Sequence, residues 1–223
     1  MLDKIAASFK IDVICWGISV RQIFILVALL GMVGCVSRQP FTPRIIYKPI
    51  GLDKAHIKKT QRFMCQHYGY CHRDVQIKPL MIVLLLTGTE TLHQAYQQNV
   101  SMQYIVSRSG KVYQTMPSNW MARHTTGLNY LAIGIGNVGE EDDADGLTSA
   151  QANADVYLIR MLKKQYPGIE YLVSHNESYC FRELPLWREL KDVRFKPRLD
   201  PGATFMSKIR GQVTHLDLRG CGD

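Results

Sequence analysis

Two polar residues stand where many folds carry out chemistry. His175 follows the apolar residues 171–173 and Ser174, and Asp200 begins the sequence Asp-Pro-Gly. A histidine at the end of a strand can bind a metal ion or transfer a proton, although a backbone hydrogen bond is its more common role. An isolated Asp-Pro-Gly is more often a turn than a ligand. Neither residue alone therefore predicts a reaction.

A second apolar segment ends without the polar side chain that such a site needs. Residues 81–86 are all apolar and end at Thr87-Gly88-Thr89. An uninterrupted run of this length is typical of a strand that is buried on both faces. Open α/β sheets bind their ligands at the carboxyl ends of such strands. The last three strand residues, 84–86, are leucines, so they offer no ligand or reactive group.

The elements along the chain predict an α/β protein with a mixed central β-sheet flanked by helices. Thr148 and Gln151 form a capping box that begins the clearest helix. The predicted helices span 52–68, 91–98 and 148–166, the predicted strands span 80–86, 131–138 and 169–173, and a predicted hairpin over 101–116 turns at 108–111. Helical and strand periods therefore alternate along the chain, as a layered α/β fold requires.

Several short sequences, in this order, resemble the zinc-dependent N-acetylmuramoyl-L-alanine amidases of type 2. They are Ser-Met-Gln-Tyr at 101–104, Ala-Arg-His at 122–124, Ile-Gly-Ile at 133–135, Ser-His at 174–175, and Asp-Pro-Gly at 200–202 with Phe205 behind it. The resemblance runs from about residue 52 to 210. It implies the fold shared with peptidoglycan recognition proteins. It also implies a reaction, hydrolysis of the amide between N-acetylmuramic acid and the L-alanine of the stem peptide.

The resemblance also implies a site built around zinc, which would acidify a bound water. His175 and Asp200 match the second and third metal ligands of the family. Arg198 stands at the position of a lysine that stabilises the oxyanion, and it keeps the positive charge. The first ligand, a histidine, falls on Leu85, and a glutamate that assists the water falls on Gly136.

These two departures favour lost or altered catalysis. Leu85 cannot bind a metal, which leaves fewer than the three protein ligands of ordinary catalytic zinc sites. Gly136 removes the proton acceptor, an effect worth about 10²–10⁴ in rate. His124 and Glu177 lie on segments that line the family's cleft, so either is a candidate replacement ligand. We favour a substrate-binding role for His124, together with Asn129, over a role in metal binding.

Three functions remain open from the sequence. The favoured function is a peptidoglycan-binding protein whose catalysis is impaired or lost. The alternatives are a working zinc amidase with a rebuilt metal site and a scaffold whose cleft recognises a protein partner. Zinc content separates the first from the second, and muropeptide binding separates the first from the third.

The N-terminus predicts an exported lipoprotein. Lys4, Lys10 and Arg21 precede residues 23–34, which carry no charge and end directly before Cys35. A basic region followed by a short apolar region is typical of a signal peptide. We therefore predict a lipoprotein-type signal over 1–34 and lipidation at Cys35. An uncleaved membrane anchor and an ordinary cleaved signal are the alternatives. The residue after the cysteine is valine rather than aspartate, which favours the outer membrane, facing the periplasm.

Composition and cysteines set the remaining expectations. An extended tether is predicted over 35–51, the amidase-like domain over 52–210, and a C-terminal tail over 211–223. Hydrophobic residues make up 46% of the chain, enough for a core, and the net charge is +8. No basic run alternates with aromatic residues, so we expect no nucleic-acid partner. An exported protein enters an oxidising compartment, which favours disulfides. Cysteines 65, 71, 180 and 221 allow three pairings, and proximity in the sequence favours 65 with 71 and 180 with 221.

Overall fold

The computed structural model describes residues 41–71, 74–140, 146–193 and 201–222, and all that follows refers to these. Six strands form one sheet in the spatial order β1-β4-β3-β5-β2-β6. The strands are β1 (Ile45–Tyr47), β2 (Met81–Leu86), β3 (Tyr104–Val106), β4 (Val112–Gln114), β5 (Ala132–Asn137) and β6 (Tyr171–Ser174). β3 and β4 are antiparallel, and the other neighbouring pairs are parallel. The predicted mixed sheet is confirmed.

Helices cover the sheet, and side-chain caps fix where several of them begin. They are α1 (Lys54–Tyr68), α2 (Leu92–Gln97), α3 (Ser149–Gln165) and α4 (Ala203–Val213), with 3-10 turns at Glu177–Glu183 and Thr214–Leu216. The Asp53 carboxylate accepts a hydrogen bond from the His56 backbone N–H at the start of α1. Thr91 and Thr148 each form a capping box, the second of which was predicted. In the described part of the chain, no helix is long and apolar enough to cross a membrane.

The central strand β2 is buried on both faces, as its unbroken apolar sequence predicts. Ile82 and Leu84 pack on one face with residues of α3 and α4. Met81, Val83 and Leu85 point to the opposite face, where they join an apolar cluster with residues of β6 and of the loop before β5. Side chains alternate along a strand, so one face of β2 faces two helices and the other faces the candidate site.

A buried acid and amide pair connects β5 to α3. The Nδ2 of Asn137 donates to the Oδ2 of Asp155 at 2.8 Å, and both side chains are fully buried. The Oδ1 atoms of both residues are also buried, and they have no hydrogen-bond partner among the described residues. Burial raises the pKa of Asp155 to about 8, although the bond from Asn137 opposes this. Protonation, which the raised pKa favours, would convert the Asp155 Oδ1 from an acceptor into a donor.

The N-terminal boundary differs from the predicted tether. Residues 45–47 lie inside the segment predicted as a tether over 35–51, but they form β1 and pair in parallel with β4. Pro43 and Pro49 bracket this short strand. Proline cannot donate to a strand ladder, and beyond Pro49 the Ile50 N–H donates to the Thr115 carbonyl at 2.9 Å. The prediction of a tether is therefore wrong for residues 45–47.

The C-terminal boundary also differs from the prediction. The predicted end of the domain at residue 210 falls inside α4, which continues to Val213. Beyond that helix, Arg219 pairs with β6: its N–H donates to the Glu170 carbonyl at 2.9 Å, and its carbonyl accepts from Leu172 at 2.9 Å. The segment that was predicted as a tail therefore extends the sheet beyond β6.

Both disulfides follow the pairing that proximity favoured. Cys65 bonds to Cys71 at the end of α1, and Cys180 bonds to Cys221 near the C-terminus. The second disulfide closes a separation of 41 residues. It joins the 3-10 turn after β6 to the segment that pairs with that strand. Disulfides stabilise a fold mainly by constraining the unfolded chain, and more so for long loops.

Candidate functional site

Three neighbouring strands bring the positions implied for the reaction into one row. Leu85 on β2 is the register partner of Gly136 on β5. On the other side of β2, the N–H of His175 donates to the carbonyl of Leu84 at 2.9 Å. Leu85 therefore lies between Gly136 and His175 at the carboxyl ends of three parallel strands, the place where such sheets bind ligands.

Leu85 is part of an apolar cluster and not of a polar site. Its side chain is only 3% exposed, and it packs in one cluster with Val83, Val173 and Phe181. Burying a leucine side chain stabilises a fold by about 1.5–3 kcal/mol. The position that the resemblance implies for the first metal ligand is therefore filled by a residue that contributes to stability.

Gly136 is covered by the side chain of Met102. A Cβ atom on Gly136 would lie 1.8 Å from the Met102 Sδ and 3.0 Å from its Cε. Met102 is itself only 6% exposed. Any side chain at 136 therefore needs the space that Met102 occupies. The sequence analysis included Met102 in a matching segment but did not predict that it covers Gly136.

Hydrogen bonds from its neighbours hold the segment that carries Met102. The Gln103 side chain is fully buried, accepts a hydrogen bond from the Gly134 N–H at 2.7 Å and donates to the Trp120 carbonyl at 2.7 Å. Thr115 donates its hydroxyl to the Met102 carbonyl. These bonds tie the residues before β3 to β5 and to the loop after residue 119, so the backbone of Met102 is fixed.

His124 lies against β5 on the same side of the sheet. A Cβ atom on Gly134 would approach its ring atoms to 2.7–2.9 Å, so the ring fits only against glycine. Its Nδ1 lies 2.8 Å from the Thr125 hydroxyl. Its Nε2 is buried without a hydrogen-bond partner among the described residues. Burial and then the charge of His175 lower the pKa of His124 to about 3, although the Ala132 backbone opposes the shift. The ring is therefore neutral at neutral pH.

Asn129 fixes the loop that carries His124. Its Oδ1 accepts from the backbone N–H groups of His124 and Thr125 at 2.9 and 2.7 Å, and its Nδ2 donates to the Tyr68 hydroxyl at 2.7 Å. The side chain is 3% exposed. Direct substrate binding by Asn129 stays a prediction, whereas these three bonds give it a positioning role.

Glu177, a candidate replacement ligand, is already bound by other residues. Its carboxylate accepts from the Arg210 guanidinium at 2.9 and 2.5 Å and from the Ser174 N–H at 2.8 Å. Burial opposes ionisation, but these hydrogen bonds outweigh it and lower the pKa of Glu177. Its two oxygens join α4 to the end of β6, so Glu177 stabilises the fold at this end of the sheet.

A polar cavity opens beside His124. Its volume is about 460 Å³. It is lined by Phe63, Asn99, Ser101, Arg123, His124, Thr125, Thr126 and Asn129. Two of these, His124 and Asn129, were predicted as substrate-binding residues, and the cavity brings them together. Arg123 lay in a matching segment of the sequence, but its place in a cavity was not predicted.

The described residues do not supply the family's three-ligand zinc site. Leu85 stands where the resemblance implies the first ligand, and Glu177 is bound to Arg210. Within the described ranges, no group of three histidine, cysteine, aspartate or glutamate side chains could hold a metal ion. Arg198 and Asp200 lie outside the described residues, as does Cys35. Catalytic zinc takes at least three protein ligands, and the described residues alone do not supply them.

The described residues therefore form a mixed sheet with a polar cavity beside His124, whose ring packs against Gly134 of β5. The sequence pattern of the family described as N-acetylmuramoyl-L-alanine amidase matches residues 58–202. The chain belongs to this family.

Solved structures of this fold are similar to the chain at low sequence identity. The N-acetylmuramoyl-L-alanine amidase LysC from Clostridium intestinale URNW is 17% identical, with a TM-score of 0.50, over 78% of this chain and 99% of that one. The Ph2119 endolysin from the Thermus scotoductus MAT2119 bacteriophage Ph2119 is 19% identical, with a TM-score of 0.45, over 79% and 100%. Drosophila peptidoglycan recognition protein SA is 19% identical, with a TM-score of 0.43, over 69% and 97%. No curated protein matches the chain.

Proposed function

We propose that this protein binds peptidoglycan in the cleft of an amidase fold and does not hydrolyse it. One observation carries the proposal: both positions that the reaction needs are packed with apolar groups. Leu85 lies in an apolar cluster, and the sulfur of Met102 fills the space beside Gly136.

Binding and catalysis depend on this site in different ways. Hydrolysis requires a positioned, activated water and a proton acceptor. Leucine cannot bind the metal that activates the water, and glycine cannot accept a proton. Affinity for the glycan and the stem peptide comes from the whole groove, including the cavity beside His124. Binding can therefore survive changes that remove catalysis.

The packing at position 136 also supports the proposal. Met102 occupies the space that a longer side chain at 136 would need. Interiors are close-packed, so a glutamate at this position would require Met102 to move.

The test is to incubate the full-length protein with purified sacculi and to measure two quantities. The first is the protein that sediments with the sacculi, and the second is the stem peptide released, by chromatography of the soluble products. We expect sedimentation without release, while an active amidase of the same fold releases peptides in parallel. Release by the native protein that is abolished in His175→Ala would overturn the proposal.

A working amidase with a rebuilt metal site is the second candidate, and one observation favours it. The Nε2 of His124 is buried without a partner among the described residues, and His175 lies close enough to lower its pKa. Elemental analysis of the full-length protein after dialysis tests this function. One tightly held zinc per chain, lost in His124→Ala, would support it.

We also propose export and lipid attachment at Cys35, which would anchor the protein to the outer membrane on its periplasmic side. The charge-free segment that ends at the cysteine supports this. Cells labelled with radioactive palmitate should yield labelled native protein and unlabelled Cys35→Ala. An absence of label on the native protein would reject lipidation.

A further inference from the structure

The outward side of helix α1 carries four positive charges and no negative charge. An α-helix turns once in 3.6 residues, so Lys54, Lys58 and Arg62 follow one another along one side of α1, and Lys59 lies beside them. All four side chains are exposed. The helix turns its buried residues, 60, 64 and 68, toward the rest of the protein, and none of its residues is acidic. We call these four side chains the cationic face of α1.

The charges of the cationic face are not neutralised by the described part of the protein. Elsewhere, the cations Arg210 and Arg219 form ion pairs with Glu177 and Glu170. The ion pairs of the described residues include none of the four cations of α1. The nearest acidic residue in the sequence, Asp53, uses its carboxylate to cap the helix. The cationic face therefore remains available to an anionic partner outside the protein.

The proposed lipid at Cys35 would hold the folded domain close to a membrane. Cys35 and Phe41, the first described residue, are six positions apart in the sequence. Six residues span at most about 22 Å when fully extended. So short a connection gives the domain a high effective concentration at the membrane surface. Lysine and arginine side chains that come within a Debye length, about 8 Å, of an anionic leaflet are attracted to it.

We propose that the cationic face of α1 lies against the headgroups of an anionic phospholipid leaflet, an inference that rests on the proposed membrane attachment and not on peptidoglycan binding. Each lysine or arginine at such a surface favours the contact by roughly fivefold. The contact would also orient the domain. Tyr68 of α1 packs with Tyr130 on the face of β2 that carries Leu85, whereas α3 packs on the opposite face. Helix α3 would therefore point away from the membrane.

Lysine acetylation of the full-length protein on vesicles tests the proposal. The protein is reconstituted into vesicles of phosphatidylcholine alone or with about 30% phosphatidylglycerol, an anionic lipid. A neutral acetylating reagent and mass spectrometry then give the reaction rate at each lysine. On anionic vesicles the three lysines of the cationic face should react at least about fivefold more slowly than on neutral vesicles. Lys111, in the hairpin turn, and Lys164, on α3, should change by less than about twofold, because they lie outside the cationic face.

Two double variants with the same change in net charge make the test specific to α1. Lys58→Gln with Arg62→Gln should return the remaining two lysines of the cationic face to within about twofold of their rates on neutral vesicles. The matched control is Lys111→Gln with Lys164→Gln, which removes two exposed charges elsewhere and should leave the protection of the cationic face unchanged. Salt at about 1 M, where the Debye length is about 3 Å, should abolish the protection in the native protein. Thermal unfolding establishes that each variant is folded.

The outcomes separate this inference from the proposals around it. If the lysines of the cationic face react equally fast on both kinds of vesicle, the inference is wrong, whatever palmitate labelling shows. If both double variants lose the protection equally, the net charge of the protein and not this face is responsible, and the inference is rejected. If sacculi or soluble polyphosphate protect these lysines as well as anionic vesicles do, the face binds anionic polymers in general, and the lipid leaflet is rejected as its partner. Protection that is seen only on anionic vesicles supports the inference even if Cys35 carries no palmitate.

Discussion

Replacing Gly136 by alanine tests whether Met102 and Gly136 occupy complementary space. The backbone of Gly136 does not lie in the left-handed region, so alanine is strained only by its new Cβ. That atom would lie 1.8 Å from the Met102 Sδ, whereas non-bonded heavy atoms prefer about 3.5–4.0 Å. The sulfur must therefore move by about 2 Å within a packed site, and such overpacking costs about 1–3 kcal/mol.

A double-mutant cycle with Met102→Ala separates this steric cost from other effects. Met102→Ala alone removes a buried side chain and should cost about 2–5 kcal/mol. In that background the alanine at 136 enters vacated space, so Gly136→Ala should cost little or stabilise the protein. The coupling energy between the two changes should therefore be about 1–3 kcal/mol, within the range for residues in contact.

Denaturant unfolding with both disulfides intact measures each free energy by linear extrapolation. Gly211→Ala is the control: it lies in α4, and its Cβ would have no atom within 4 Å. Alanine there should stabilise the protein by about 0.5–1 kcal/mol, as in any helix interior. The explanation fails if the two changes in the cycle add within about 0.5 kcal/mol, or if Gly136→Ala stabilises the native protein as Gly211→Ala does.

Three further predictions concern pH, metal and catalysis. Burial raises the pKa of Asp155 to about 8, from 3.8, so the free energy of unfolding should fall as pH rises between these values. In Asp155→Asn, unfolding curves should show a free energy of unfolding that depends less on pH. The same pH dependence in this variant as in the native protein would contradict the raised pKa. The native protein should hold less than one zinc per chain, lost to a chelator, and its thermal midpoint should barely respond to added zinc; a zinc-dependent rise of several degrees would show that the metal binds the folded state. Leu85→His alone should release no stem peptide from sacculi, because Met102 still fills the place of the proton acceptor. Release should require the combined changes Leu85→His, Met102→Ala, Gly136→Glu and Arg198→Lys, as measured by chromatography of soluble products.

Local signals in the sequence predicted most of the elements. The apolar run of β2 and the capping box at Thr148 both depend on neighbouring residues, so they can be read without the fold. The helix α4 was not predicted, and Gly202 at its start makes no side-chain capping bond. The strand β1 has three residues and exists only because β4 pairs with it. Both omissions are elements that depend on tertiary contacts.

The features of the candidate site likewise fall into those that the sequence predicted and those that depend on tertiary contacts. The alignment of Leu85 with Gly136 came from the family resemblance, and the two residues are register partners in the sheet. Met102 lies before β3 and Gly136 lies in β5. Their spacing in the sequence therefore does not predict that they pack together. Arg123 belongs to one of the segments that carry the resemblance, but its contact with Phe63 depends on how a loop lies against α1. Contacts between side chains that are distant in sequence require the structure.

The two outer strands of the sheet also determine how copies of the protein behave toward one another. Exposed strand edges can pair with other chains and lead to aggregation. On one side, β1 is only three residues long and is bracketed by Pro43 and Pro49. On the other side, Arg219 covers β6, and the Cys180–Cys221 disulfide ties that cover in place. A lipid anchor at Cys35 would concentrate the protein in the plane of a membrane, where copies meet often. Reduction of this one disulfide would release that cover from the edge of β6, so we expect the reduced protein to self-associate more readily than the oxidised protein.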